Sequence, residues 1–233
     1  SAPECPVGLP DGPARLGSLR VDGADLAWQA AADLGALVEG GGAIADGWQV
    51  LLTDRSGAPS RVVFGSLVFF VIEREGRLAV RLRDRNWAAR RPPPDLSFYD
   101  YDPAWRVEAF WQRLATPQSM EVPNVGGEMK VVEVTHQAVV GIAMQAVTLL
   151  PISVSDSEVF FVFRDRTSGR ETYGAGRFLK APVAVDGKIT LDFNFAYSPP
   201  CAFTPFATCP LPPPENWLPF AVPAGEMKWE EDV

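Results

Sequence analysis

The stretch 191–226, LDFNFAYSPPCAFTPFATCPLPPPENWLPFAVPAGE, constrains the fold more than any other part of the chain. It carries Pro199, Pro200, Pro205, Pro210, Pro212, Pro213, Pro214 and Pro219 among aromatic and aliphatic side chains. Each proline fixes φ and removes a backbone donor, so the run suits neither a helix nor a central strand. Its apolar content is too high for a disordered tail. The remaining solution is an ordered, irregular ribbon draped over a scaffold that satisfies its free amides, serving as a lid or a plug.

A chain of 233 residues, 47% hydrophobic and 21% charged, has enough material for one large all-β domain or two smaller ones without any covalent staple. No apolar run is long enough to cross a bilayer, so no membrane partner is expected. The net charge of −8 repels polyphosphates and no basic stripe offsets it, which argues against DNA or RNA as a partner. The sequence starts at Ser1 rather than Met. A cytoplasmic protein is the favoured expectation, with a periplasmic or secreted one left open. Three cysteines do not form the dense framework of a small secreted scaffold.

Turn signals recur at Asp22-Gly23, at 54–57, 74–76 and 165–169, and at Asp186-Gly187. Between them, runs rich in β-branched and aromatic residues at 48–52, 67–72, 77–82, 130–134, 159–163 and 189–195 read as strands. Residues 24–38, ADLAWQAAADLGALV, favour a helix by propensity alone. The Asp22-Gly23 turn before them and Gly35 within them favour strands instead. The prolines of 90–95, RRPPPD, make an extended spacer. The expected architecture is all-β and mainly antiparallel. A small β-sandwich-like unit spans 1–91, and a β-meander or barrel-like unit spans 92–233 and is wrapped by the Pro-rich ribbon.

Within that second unit, 158–195 reads as three consecutive antiparallel strands. Alternation puts Ile189, Leu191, Phe193 and Phe195 on a core face and Lys188, Thr190, Asp192 and Asn194 on the other. In the middle strand Tyr173 and Arg177 share a face, and Gly174 and Gly176 mark a bulge or a close approach by the ribbon or a ligand. A partly buried Arg177 needs a partner. Glu171 or Asp192 would make an internal salt bridge, whereas an external carboxylate or phosphate would make a binding site.

Other candidate chemistry is thin. Cys201 and Cys209 lie eight positions apart, outside zinc-knuckle gaps of about two to four residues, and only His136 and Cys5 could add soft ligands. The pair reads as two buried thiols or, in an oxidising compartment, one short-loop disulfide. No metal and no cofactor is expected. His136 is the sole imidazole, a structural residue or a general base. Asp165, Glu171 and Asp192 could converge as a carboxylate cluster, but Arg164, Arg166, Arg170 and Arg177 interleave with them. The run 99–105, YDYDPAW, has the composition of a sugar site and equally of packing between two units. Gly40-Gly41-Gly42 lacks the lysine and hydroxyl of a phosphate loop and reads as a flexible connection.

Residues 163–179 (FRDRTSGRETYGAGRFL) and 191–226 together resemble the bacterial domain-of-unknown-function family 1684. Shorter stretches at 65–67, 81–84 and 102–107 are similar to the same family, so the likeness runs from about Phe64 onward. The resemblance places Arg177, Asp192, Asn194, Tyr197, Cys201, Cys209, Asn216 and Glu226 at motif positions. Phe195, Ser198 and Trp217 depart from it, two of them replacing cations by aromatics. The earlier hairpins resemble, in outline only, a forkhead-associated-like sandwich.

The expected function is binding of a small molecule, anionic or neutral, between the meander and the ribbon. Arg177, Asp192 and Asn194 would be the polar anchors and Tyr173, Tyr197 and Phe203 the walls, with Cys201, Cys209 and Asn216 nearby. Two alternatives stand beside it: a structural or interaction module in which these residues only stitch the ribbon down, and a hydrolase using a cysteine or a carboxylate. Oligomeric state is not specified by the sequence.

Overall fold

Valine, isoleucine, phenylalanine and tryptophan fit a half-buried pleated surface, and they dominate the segments that become strands. The computed structural model describes residues 7–9, 12–23, 25–31, 34–43, 47–74, 76–90, 94–142 and 144–229. Cys5 and the spacer positions 91–93 lie outside these described residues. Among them are fifteen strands, and the one α-helix, Trp87–Arg90, is a single turn. Spatial proximity of backbone positions divides the chain into two units, Ser1–Pro93 and Pro94–Val233.

In the first unit β1 (Gly17–Asp22), β2 (Asp25–Ala30), β4 (Gly41–Ala43) and β5 (Gln49–Leu51) form an antiparallel sheet of order β1-β2-β5-β4. A second antiparallel sheet, β3-β6-β7-β8, contains β3 (Leu37–Glu39), β6 (Arg61–Phe64), β7 (Leu67–Arg74) and β8 (Arg77–Asp84). Leu26, Trp28 and Leu51 from the first sheet and Val62, Phe69 and Val71 from the second share one apolar cluster. Trp28 meets Phe69 edge-on at 5.2 Å. Strand β2 and the start of β3 thus lie in the run with helical propensity, because Leu26 and Trp28 gain more from facing that cluster than their neighbours gain from a helix. The glycines at 41 and 42 are in β4, not in a flexible connection: they pair with β5 at Leu51 and Val50.

The second unit also has two sheets. One, of order β11-β10-β9-β15, holds β9 (Arg106–Pro123), β10 (Met129–Ile142), β11 (Gln145–Leu149) and β15 (Lys188–Asp192). The other, β12-β13-β14, holds β12 (Ser153–Val154), β13 (Glu158–Phe163) and β14 (Arg177–Pro182). All pairings are antiparallel, and neither sheet closes into a barrel. Ala138, Val140 and Leu149 from the first sheet and Val159, Phe161, Phe163 and Leu179 from the second pack into one core.

The expected three-strand meander over 158–195 is therefore split between sheets. The strand β14 starts at Arg177, and Tyr173, Gly174 and Gly176 precede it in a turn. The strand β15 pairs with β9, with Ile189 opposite Ala109 and Leu191 opposite Val107. Asp186 and Gly187 both take positive φ, 51° and 74°, and the Trp111 amide donates to the Gly187 carbonyl at 2.8 Å, which docks the turn on β9. Ile189, Leu191 and Phe193 are core residues as expected, but Phe195 falls in a 3-10 turn, Phe193–Phe195, and is 69% exposed.

The Pro-rich ribbon closes the same core. From Asn216 to Ala224 its residues alternate between buried and exposed: Leu218, Phe220, Val222 and Ala224 join the apolar cluster, while Trp217, Pro219, Ala221 and Pro223 face outward. The ribbon is extended but, with prolines at 219 and 223, does not join a ladder as a continuous strand. Its amides find other acceptors: Leu218 donates to the Arg164 carbonyl at 2.7 Å and Glu226 to that of Ala196 at 2.8 Å.

Candidate functional site

Arg177 begins β14 and is fully buried, with its guanidinium 5.2 Å from the Phe163 ring centroid. Its partner is neither Glu171 nor Asp192 but Asp165, reached from Nη2 to Oδ2 at 2.9 Å with both side chains inaccessible to solvent. The same Nη2 donates to the Val222 carbonyl at 2.9 Å, and Nη1 donates to the Ala224 carbonyl. Asp165 is saturated from its other side: Oδ1 accepts from the Thr167 amide at 2.7 Å, the Thr167 hydroxyl at 2.6 Å and the Val222 amide at 3.1 Å. One buried ion pair thus clips the ribbon at Val222 and Ala224 to the start of β14. Asp192 lies elsewhere, 3.7 Å from Arg106.

Two glycines make that approach possible. At Gly176, φ is 96°, and a Cβ would lie 2.6 Å from the Phe163 carbonyl oxygen and 2.7 Å from Pro212. The close neighbours of this glycine are thus β13 and the ribbon. At Gly225, φ is 79°, and a Cβ would lie 2.5 Å from the Ala196 carbonyl oxygen. Only glycine fits either place without displacing backbone.

Asn216 is a second clip. Fully buried, it accepts from the Leu150 amide at 2.8 Å and donates to the carbonyls of Leu150 at 2.8 Å and Val162 at 2.9 Å, joining ribbon to both sheets' ends. Asn194 makes a third junction: its side chain donates to the Asp102 carbonyl at 2.9 Å and accepts from the Asp102 amide at 3.0 Å, while Asp192 accepts from Asn194 at 2.9 Å. These bonds hold the Tyr101–Trp105 region, where Trp105 meets Phe193 edge-on at 6.4 Å.

Tyr173 and Cys201 line an open hollow of about 430 Å³. Its other walls are Val125 and Gly126 at the tip of the β9–β10 hairpin and 204–208 of the ribbon. The hairpin tip is tied to the ribbon by the Val125 amide, which donates to the Cys209 carbonyl at 3.1 Å, and by Leu211, which donates to the Pro123 carbonyl at 2.7 Å. The Tyr173 hydroxyl donates to the Cys201 carbonyl at 3.2 Å and approaches Cys201 Sγ at 3.7 Å. Burial, then the hydrogen bond with Cys201, pushes the Tyr173 phenol up to about 12. Cys209 is buried beneath, accepts from the Cys201 amide at 3.3 Å, and is pushed up to about 11, chiefly by burial. Both cysteines are free thiols.

The remaining expected wall residues pack elsewhere. Tyr197 meets Phe178 edge-on at 5.6 Å, burial raising its phenol above the usual range, and Phe203 lies against Trp229 at 5.9 Å. Neither lines the hollow. His136 sits in β10, stacked on Trp111 at 5.2 Å with Nδ1 2.9 Å from the Thr135 hydroxyl.

With this geometry in view, comparison with known proteins decides the family: the model for a protein of unknown function, DUF1684, matches residues 94–227. The chain belongs to the DUF1684 family. The match starts at the first residue of the second unit and covers all of it up to residue 227, and the likenesses at 65–67 and 81–84 lie outside it. The chain is also similar to the uncharacterised protein from gene locus rrnAC0354 of Haloarcula marismortui, solved by solution NMR. Identity is 33%, over 62% of this chain and 87% of that one, with a TM-score of 0.47. No curated protein matches. Among the described residues, no helix is long and apolar enough to cross a membrane.

In this DUF1684 member, the heavily bonded residue that the sequence offered only as part of a carboxylate cluster, and not as a site residue, is Asp165. Its signal was present as Asp-x-Thr, the spacing at which an aspartate caps the amide two residues on. The departures from the family pattern fall in different settings: Phe195 and Trp217 are exposed, and Ser198 is buried. Trp217 donates from Nε1 to the Pro212 carbonyl at 3.0 Å, and the Arg164 guanidinium lies 5.4 Å from its ring centroid.

Proposed function

We propose that this protein binds a small, uncharged, ring-containing molecule in the hollow between the hairpin tip, Tyr173 and residues 201–208. The observation that carries the reading is the hollow's make-up. Its volume of about 430 Å³ suits a small ligand, and its walls join aromatic and aliphatic surface to the Thr204 and Thr208 hydroxyls without one charged side chain. Phe206, part of that wall, is an apolar ring that is 89% exposed. A ligand ring stacked there would cover it.

Arg177 and Asn216 do not belong to this binding reading. Both terminal nitrogens of Arg177 and the whole amide of Asn216 are bonded to protein partners in the core, and Arg177 Nε is buried away from either hollow, which favours the stitching role for them. Cys209 does not fit the role of a hydrolase nucleophile. With its thiol pushed up to about 11, Cys209 stays protonated at neutral pH, and a thiol rather than a thiolate is a poor nucleophile.

The test is amide NMR of the full chain titrated with a panel of uncharged aromatic fragments. Binding should move the signals of Gly126, Tyr173, Thr204 and Thr208 together, and Phe206→Ala should abolish the effect while leaving the melting temperature unchanged. A panel that moves none of these signals, or moves them equally in Phe206→Ala, contradicts the proposal.

A further inference from the structure

A second hollow, of about 320 Å³, has the opposite character and shares no lining residue with the first. It is formed by Arg164, Asp165, Arg166, Ser168 and Arg170, within the turn that follows β13. The chemistry of the turn is asymmetric. Its one aspartate points inward and is neutralised by Arg177 and saturated by the Thr167 and Val222 donors. Its three other ionisable side chains, Arg164, Arg166 and Arg170, are exposed, and among the described residues none has a carboxylate partner. A protein of net charge −8 therefore presents a local concentration of positive charge with its only internal counter-charge buried and used.

The turn is also rigidly held. The Arg164 amide donates to the Asn216 carbonyl at 3.1 Å, the Arg164 carbonyl accepts from Leu218 at 2.7 Å, and the Arg166 amide donates to the Phe220 carbonyl at 3.0 Å. Within it, the Ser168 amide donates to the Asp165 carbonyl at 3.2 Å and the Arg170 amide to the Thr167 carbonyl at 3.0 Å. The Trp217 ring fixes the Arg164 guanidinium from one side. Clustered guanidinium groups on a fixed backbone bind an anion at the cost of side-chain ordering alone, because the backbone supporting them is already placed. The exposed carboxylate of Glu171 is the nearest in sequence and makes no ion pair with these arginines.

We propose that this turn is a binding site for the dianionic phosphate of a small phosphomonoester. Three forked donors around one hollow match a tetrahedral group with three equivalent oxygens better than a planar carboxylate with two. The hollow has room for the organic part as well as the phosphate. The net charge of −8 disfavours a polyanion, whose further phosphates would extend past the three arginines over the acidic remainder of the surface. A small ligand does not reach that surface.

The experiment is amide NMR of the full chain titrated in parallel with glycerol 1-phosphate, inorganic phosphate, succinate and, at matched ionic strength, sodium chloride. Glycerol 1-phosphate should bind saturably and move the Arg166, Ser168 and Arg170 signals, tighter than succinate, with chloride giving no saturation. The double variant R166A/R170A removes two exposed side chains and keeps every backbone bond named above. It should melt as the wild type does and weaken the phosphomonoester by at least about tenfold, as the loss of charge-assisted hydrogen bonds requires. The proposal is overturned if succinate binds as well as the phosphomonoester, if inorganic phosphate binds and the monoester does not, if chloride reproduces the shifts, or if R166A/R170A titrates like the wild type. The Gly126 and Thr208 signals of the first hollow serve as an internal control, so failure here leaves the uncharged-ligand reading standing or falling by its own test.

Discussion

Replacing Arg177 by methionine keeps much of the apolar stem and deletes the buried cation, which makes the role of the clip measurable. The guanidinium is wholly inaccessible and donates to Asp165, Val222 and Ala224. Removing one partner of a buried pair costs about 3–5 kcal/mol, because the other charge stays desolvated and unmatched. Two ribbon carbonyls also lose their donors, at about 1 kcal/mol each. Arg177→Met should thus cost about 5 kcal/mol, comparable with the whole stability of many domains. Asp165→Asn alone should be similarly severe. The pair R177M/D165N should be less damaging than the sum of the two by about 2 kcal/mol, since no isolated charge then remains. Urea unfolding followed through the NMR signals of β13 and β14 isolates the second unit. A loss below about 1 kcal/mol for Arg177→Met, or strict additivity in the double variant, would refute the claim that this pair anchors the ribbon.

Three more outcomes follow from the same geometry. Asn216→Leu strands the Leu150 amide and the Leu150 and Val162 carbonyls, and should cost about 3 kcal/mol by urea unfolding, at about 1 kcal/mol or more per buried unsatisfied group. Gly176→Ala drives a methyl into the Phe163 carbonyl and Pro212 at a positive φ, so it should lower the melting temperature of the second unit, whereas Gly141→Ala, with open space around it, should not. Stability should fall in alkali. Cys209 rises from an ordinary 9.0 to about 11 and Tyr173 from 10.0 to about 12 on folding, so the folded state holds protons that the unfolded chain releases. The melting temperature should be insensitive to these two groups below pH 9 and decline through about pH 9–12, with the decline reduced in Cys209→Ser and Tyr173→Phe; an unchanged decline in both variants contradicts the assignment.

Much of the fold was legible in local chemistry. Hairpin turns at Gly23, Gly76 and Gly187 have the positive φ their sequences implied, and Asp25–Ala30, in the alanine-rich run, is strand because Leu26 and Trp28 face a shared core. The strand β9 was not legible. It contains Pro117 in its interior, which reads as a strand breaker. The structure absorbs it in a bulge: between the Arg113–His136 and Gln118–Val134 pairs, residues 114–117 of β9 face only Thr135 of β10. Without β9 in place, β15 has no visible partner except its chain neighbour β14, and so the segment 158–195 reads as one meander.

The ribbon was legible as ordered, and its alternation at 218, 220, 222 and 224 carried the reason: four apolar residues on one side, prolines at 219 and 223 on the other. What sequence could not assign was which carboxylate meets Arg177. Three candidates lay within reach in the sequence, and the choice depends on a turn in which Asp165 is held inward by Thr167 and by the ribbon itself. Polar motif residues that look like a binding site in one dimension are spent on holding the fold. The open surfaces lie beside them, at Tyr173 and Cys201 and at the three arginines.

Hydrogen exchange along the ribbon tests the central claim most directly. If the ribbon is part of the core, the amides of Leu218, Val222 and Glu226, bonded to Arg164, Asp165 and Ala196, should exchange as slowly as those of β13, and far more slowly than the exposed Phe206 amide. Exchange of all three at the rate of Phe206 would mean that the Pro-rich segment is not clamped to the sheets.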